Sequence, residues 1–311
     1  MMKSNAKLQI IVKYYGVLGR ASGLFRMMEE ARVPYEHVTF ELNFGCALSS
    51  DDIDTESSST TTTNLEPPVI EVRMIEEGDP QGSQENPPFV LSQAIPCHQY
   101  LGKLLGFDHG IGEDSGKLLG RLLGFDGGNG VSVVGGAGGE VPPEIALQYM
   151  MDLHDLHEEM QKEVLKGDAN NNIEALQKYL QGKRYRKHLQ TINRCIKGPF
   201  YFGSTPTYVD YATTSYLDMM EGKWLIPLLE KTEGDTIQRY APKLRSVVSY
   251  IRSLPSAKQL NTKIPLNPSH LVLSPQRVAT WQKSLSMSIS SDASDTSNNN
   301  SNHSSSGKRK R

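Results

Sequence analysis

Apolar positions along the chain recur with a clear period in some segments and with none in others. Leu8 to Tyr15 opens on the unbroken run LQIIV and is rich in β-branched and aromatic residues, which predicts a central strand buried on both faces. In GRASGLFRMMEEARVPY, Leu24, Met28 and Ala31 fall at i, i+4 and i+7 with Phe25 beside them, the pattern of an amphipathic helix. Pro34 marks its end, because the residue before a proline is pushed out of helical geometry. YEHVTFEL then alternates as a second strand, and strand, helix, strand in this order favours a parallel pair with a right-handed crossover. PPVIEVRMI and PFVL read as two further strands around the long tip EEGDPQGSQENP. SQAIPCHQYLGKLLGFD reads as a helix with Ser92 as N-cap and apolar positions at Ile95, Leu101, Leu104 and Leu105.

From Val141 the period is helical. PPEIALQYMMDLHDLHEEMQKEVL begins with proline at a permitted first-turn position and carries Ile145, Met150, Leu153 and Leu156 on one face. A second helix covers roughly 173 to 197, TPTYVDYATTSYLDMM opens a third and YAPKLRSVVSYIRSLP gives a fourth. Thr207 and Asp210 head the third helix as a capping box, with the Thr hydroxyl accepting from the backbone N–H three residues on and the carboxylate reaching back. That is a structural motif of about 1 kcal/mol, and no chemistry is assigned to it.

The expected organisation is an α/β domain over 1–108 with a disordered insert at about 45–64, a Gly-rich linker over 109–140, an all-helical domain over 141–262 and a disordered tail over 263–311. SSDDIDTESSSTTTTN and the Ser/Asn-rich run from Ser284 to Ser306 carry too little apolar area to offset the entropy of ordering them. Inside the linker GKLLGFD at 102–108 returns as GRLLGFD at 120–126, a local duplication too short for a solenoid.

A net charge of −2 gives no bulk electrostatic case for nucleic acid or membrane, so neither is expected as a partner. No run approaches the ~20 apolar residues of a membrane span, and the first residues lack the apolar core of a secretory signal. Cys46, Cys97 and Cys195 are few and widely spaced, which fits a reducing compartment and a cytoplasmic location. The terminal GKRKR is a candidate nuclear import signal, shorter than the usual basic run.

Few residues carry a chemical signal. Tyr14 ends the central strand just before a helix N-terminus, where α/β sheets bind ligands and where a phenol can donate a hydrogen bond to an anion. His154, His157 and Glu158 share neighbouring turns, but Gln161 stands where HExxH needs its second His. They read as a solvated polar helix face, and no metal is expected. GGNGVSVVGGAGG is no dinucleotide fingerprint, and Cys97 reads as a buried structural thiol.

YYGVLGRASGLFRMMEEARVPYEHVTF resembles the start of the cytosolic glutathione S-transferases, where a strand-end Tyr and then Gly-Arg lead into a helix, a proline and a second strand. PPVIEV is similar to that family's cis-proline and third strand, and FVLSQAIPCHQYLGKLLGFD to its Gln-Ser/Thr turn and following helix. GPFYFGSTPTYVDYATTSYLD looks like the Gly-x-x-Thr-x-x-Asp segment that starts the family's core helix. The resemblance covers about 7–108 and 141–255, and is to divergent Tyr-type, sigma-like or related members.

It implies a thioredoxin-like α/β N-terminal domain, an all-α C-terminal domain and glutathione as co-substrate without a metal. Tyr14 would hydrogen-bond the glutathione sulfur and stabilise the thiolate. Arg20 would hold a glutathione carboxylate, and Pro67, Pro68, Ser92 and Gln93 would surround the peptide. A small apolar electrophile would lie against Tyr149 and Met150, and the protein would form a homodimer. Tyr15 would face the other side of the sheet.

Three features depart from the family. Ala94 stands where a Ser or Thr would hold a carboxylate, and no Trp, Lys or Arg occurs between Phe40 and Arg73. If Pro68 is the cis residue, Pro67 before it has no N–H to offer; if Pro67 is cis, Glu66 supplies that N–H. Two functions are therefore carried forward, a glutathione transferase and a non-catalytic scaffold of the same fold for protein contacts. A glutathione-dependent isomerase or peroxidase would use the same thiolate.

Overall fold

The computed structural model describes residues 7–16, 18–40, 67–75, 88–109, 111, 141–165, 175, 177–221 and 235–264. The insert at 45–64, nearly all of the stretch 109–140 and the tail beyond 264 lie outside them.

Four strands form one sheet in the order β2-β1-β3-β4: β1 (Lys7–Tyr15), β2 (Tyr35–Phe40), β3 (Val69–Ile75) and β4 (Phe89–Ser92). β1 and β2 are parallel, with Ile10 opposite Tyr35 and Tyr14 opposite Thr39, while β3 and β4 run antiparallel. The central strand is not covered equally on its two faces. Leu8, Ile10, Val12 and Tyr14 are buried, whereas Gln9, Ile11, Lys13 and Tyr15 are only half-buried. The second face carries an ion pair between Lys13 and Glu71 in place of a hydrophobic layer.

After a 3-10 turn at Gly19–Ala21, α1 (Ser22–Glu30) buries Leu24, Phe25, Met27 and Met28. Helix α2 (Ala94–Leu105) begins one residue later than a Ser92 cap requires. Ser92 is the last residue of β4, paired with Val69 in the ladder, so Gln93 takes the N-cap position without a side-chain cap bond. Cys97 is buried and lies 3.5 Å from the Pro68 carbonyl oxygen, and burial pushes its thiol up to about 12.

The rest is helical: α3 (Pro143–Leu165), α4 (Lys183–Cys195), α5 (Tyr208–Glu221), α6 (Thr236–Tyr240), α7 (Pro242–Ser253) and α8 (Pro255–Lys263). The expected helix from 173 to 197 is interrupted at Gly182, whose ψ of 151° is extended, and the last helix, α8, has no counterpart in the sequence reading. In α3 the buried arc is Ala146, Met150, Leu153, Leu156 and Met160, and Ile145 lies outside it, exposed.

Helix α5 is buried along its whole length and packs against α1, α2, α3 and α7. It tolerates this because its hydroxyls bond the preceding turn: Thr213 Oγ1 donates to the Val209 carbonyl at 2.7 Å and Thr214 Oγ1 to that of Asp210 at 3.0 Å. Close approach also needs small residues. A Cβ on Gly102 of α2 would lie 2.4 Å from the Tyr208 side chain, and one on Gly23 of α1 would lie 2.4 Å from the Tyr211 carbonyl oxygen.

At the head of α5 only half of the capping box forms. Asp210 accepts from the Thr207 N–H at 2.7 Å, but the Thr207 hydroxyl donates to the same carboxylate at 2.8 Å rather than accepting from the helix. The Asp210 N–H is already taken by the Thr207 carbonyl. The carboxylate also accepts from the Tyr201 N–H at 3.1 Å, so Asp210 ties the preceding loop to the helix.

A buried ion network joins the two halves. Arg26 of α1 pairs with Asp218 of α5, which also accepts from Ser22 Oγ at 2.9 Å and from Arg252 Nη2 of α7 at 2.7 Å. Arg252 continues to Glu221 at 2.8 Å.

Candidate functional site

The turn after β1 explains what the Gly-Arg pair does. Gly19 has φ 39°, in the left-handed region open to glycine, and it bends the chain so that the first N–H groups of the 3-10 turn and α1 face back toward the strand end. One of them is used: the Arg20 N–H donates to the Tyr14 hydroxyl oxygen at 2.9 Å. Tyr14 is 1% exposed, and its ring meets Tyr15 edge-on at 5.0 Å. Burial raises the Tyr14 phenol to about 12 although the Arg20 hydrogen bond and charge pull the other way. Across the neutral pH range it is therefore an intact O–H whose oxygen already accepts one bond and whose proton remains to be donated.

The strand register brings three of the sequence candidates into one row. Lys13 is opposite Val69, and Val69 is opposite Ser92. One residue further along, Tyr14, Pro68 and Gln93 follow on neighbouring strand ends, and strands lie about 4.8 Å apart, so the row is about 10 Å long. The Pro67–Pro68 bond is cis, which settles the alternative left open by the sequence in favour of Pro68. Gln93 is exposed with φ 70°, a backbone setting seldom adopted by a residue with a side chain. Ser92 is half-buried at the end of β4, and Ala94, at the first position of α2, is buried and has no hydroxyl to offer.

Arg20 faces the helical half. Its charge acts on Tyr14, on His157 and Glu158 of α3 and on Tyr216 of α5. His157 is not part of a solvated face: it is 4% exposed, its ring lies 5.9 Å from that of Tyr216, and its Nδ1 stands 3.6 Å from Glu158 Oε1. Burial lowers the His157 pKa, the hydrogen bond and charge of Glu158 oppose it, and the charges of Arg20 and His154 act with burial. The Glu158 carboxyl is held down to about 2, first by the His157 ring and then by the charges of His154 and Arg20. His154 is half-buried, with its Nδ1 3.5 Å from the Tyr216 hydroxyl. The spacing of His154, His157 and Glu158 was visible in the sequence; what they pack against was not. Among the described residues no cluster of His, Cys, Asp or Glu could hold a metal.

Tyr149 and Met150 belong to another part of α3. Tyr149 packs against Tyr201 and stacks on Phe202 at 5.7 Å, and Met150 is fully buried in the core. Seven residues separate Met150 from His157, about 10 Å along the helix.

Comparison with known proteins agrees with this architecture. Residues 154–261 match the family model described as glutathione S-transferase, C-terminal domain. No curated protein matches the chain by sequence. Among solved structures it is similar to the prostaglandin synthase D of Nilaparvata lugens, with 16% identity over 83% of this chain and 98% of that one at a TM-score of 0.52. It is also similar to the Fasciola hepatica sigma class transferase, at 12% identity over 85% and 99% with a TM-score of 0.51. Rat hPGDS, solved with a quinoline, gives 13% identity over 84% and 99% and a TM-score of 0.51. The helical half therefore matches the C-terminal domain of the glutathione S-transferases, and the chain shares across both halves the fold of these solved structures.

Proposed function

We propose that the protein is a glutathione transferase that stabilises the glutathione thiolate through Tyr14 and adds it to a small apolar electrophile. The observation that carries this reading is the Tyr14 hydroxyl, which accepts the Arg20 N–H and keeps its own proton. A hydrogen bond to a charged acceptor contributes about 1.5–3 kcal/mol, enough to lower a thiol pKa of about 8.5 by one to two units. The tripeptide would extend from Tyr14 past Pro68 toward Gln93, and Arg20 would offer its charge to a carboxylate. Catalysis would consist of holding the thiolate and positioning the second substrate, with bond formation by thiolate attack.

A second reading, a scaffold of this fold without catalysis, is favoured by specific residues. Pro67 has no N–H, Ala94 has no hydroxyl, and Tyr14 has almost no exposed surface. Retention on immobilised glutathione separates the two. The transferase is expected to be retained and to conjugate a general aryl halide, while a protein that passes straight through is the scaffold. The rat and planthopper neighbours bear the name of a prostaglandin D synthase, which keeps an isomerase using the same thiolate within the proposal.

The surface supports a homodimer. β4 is the edge of the sheet and exposes Phe89 and Val90, and α3 exposes Leu147 and Met151 one turn apart. Exposed edge strands and paired apolar side chains are commonly covered by a partner. Sedimentation equilibrium at micromolar concentration is expected to give twice the chain mass, and Leu147→Glu with Met151→Glu to give the monomer. A monomeric wild-type protein would remove the dimer from the proposal.

A further inference from the structure

The near-neutral total hides an uneven distribution of charge. Residues 175–203 contain seven Lys or Arg and no Asp or Glu, and all seven cations are exposed. Helix α4 turns Tyr185, Leu189 and Ile192 inward. Lys183, Lys187 and Arg194, at i, i+4 and i+11, therefore share one outward line about 16 Å long. Arg184 is held by Glu159, but among the described residues Lys183 and Lys187 have no acidic partner. Like charges one turn apart repel, and Lys183 and Lys187 stand so on α4 with no acidic partner among the described residues.

Helices α6 and α7 extend this face. The Arg186 guanidinium lies over the Tyr240 ring at 4.9 Å and that of Arg239 at 5.9 Å, so one aromatic ring is set between two cations. The Lys243 N–H donates to Asn193 Oδ1 at 2.9 Å, which fixes the start of α7 against α4. No large apolar side chain of residues 177–203 or 235–243 is exposed. A lipid surface would find nothing here to insert. Like charges repeated along one line match an anionic polymer with regularly spaced charges, and the phosphate backbone of a nucleic-acid duplex supplies them.

We propose that the face formed by α4, α6 and the start of α7 binds the phosphate backbone of duplex nucleic acid without reading its sequence. This does not rest on the transferase reading. The full chain is titrated into a fluorescein-labelled 20-base-pair DNA duplex of arbitrary sequence at several salt concentrations between 50 and 200 mM. Affinity is expected to fall with salt at a log–log slope of about −3 to −5, close to 0.9 per phosphate contacted. The triple change Lys183→Gln, Lys187→Gln, Arg194→Gln should flatten that slope by about 3 and weaken binding at 50 mM at least about 10-fold. Should the triple variant fail to fold, Lys187→Gln alone must still remove about one unit of slope. Absence of binding at 50 mM overturns the proposal, as does an unchanged slope in the variants. So does a loss that follows only from neutralising Lys308, Arg309, Lys310 and Arg311, or binding to phosphatidylserine vesicles with none to the duplex.

Discussion

Tyr14→Phe is expected to lower the rate of thiol conjugation about 10- to 30-fold at pH 6.5 and by no more than about 2-fold at pH 9. A free thiol with a pKa of about 8.5 is about 1% thiolate at pH 6.5, whereas lowering the pKa to about 7 makes it about a quarter thiolate. By pH 9 both are mostly ionised and the advantage disappears. The phenol itself does not titrate in this interval, because burial raises it to about 12. The substitution also leaves the Arg20 N–H without its acceptor, so some stability is lost as well. That loss acts at both pH values, and the ratio between them isolates the thiolate effect. Steady-state kcat/KM for an aryl halide across this pH range is the measurement. An equal loss at both ends would make Tyr14 a structural residue, and no loss would remove it from the mechanism.

Asp218→Ala is expected to destabilise the protein by about 3–5 kcal/mol at pH 7, because it leaves Arg26 as a buried cation without a counter-charge. The pH dependence identifies the cause. Burial alone would raise the Asp218 carboxyl, but the charges and hydrogen bonds of Arg26 and Arg252 outweigh it and the pKa is lowered. The native state therefore binds fewer protons than the unfolded chain. The contribution is fully present above the unfolded pKa of about 4 and is lost as the pH falls through the lower folded value. Urea unfolding of both proteins should show the difference shrinking in acid. A difference that stays constant from pH 7 to pH 3 would assign the loss to packing instead of charge.

Much of this fold was legible because its causes are local. The β-branched run at Leu8–Val12, the Leu24/Met28 stripe and the Pro142-Pro143 pair at a helix start each settle a backbone preference within a few residues. The row of Tyr14, Pro68 and Gln93 was legible only as separate motifs, since strand register is needed to align them. Thr207 and Asp210 were recognisable as a cap, yet the bonding inside it depended on burial and on the Tyr201 N–H arriving from the preceding loop. DLHDLHEEMQ misled for a similar reason. Periodicity places His154, His157 and Glu158 on neighbouring turns, but only the packing of α3 against α5 beside Arg20 determines that His157 is buried.

The same division holds for charge. Its sum, −2, is a property of composition, whereas the basic face depends on which side of α4 turns outward and on α6 and α7 arriving beside it. By itself the sequence determined where the strands and most of the helices lie, the tyrosine at the end of the first strand and the Gly-Arg turn that follows it. The tertiary structure decided which hydroxyl meets which N–H, which ions are buried between the two halves and which polar residues lose their water. Backbone preference is set by near neighbours, but burial and pairing require residues separated by more than a hundred positions to meet, as Arg26 and Asp218 do.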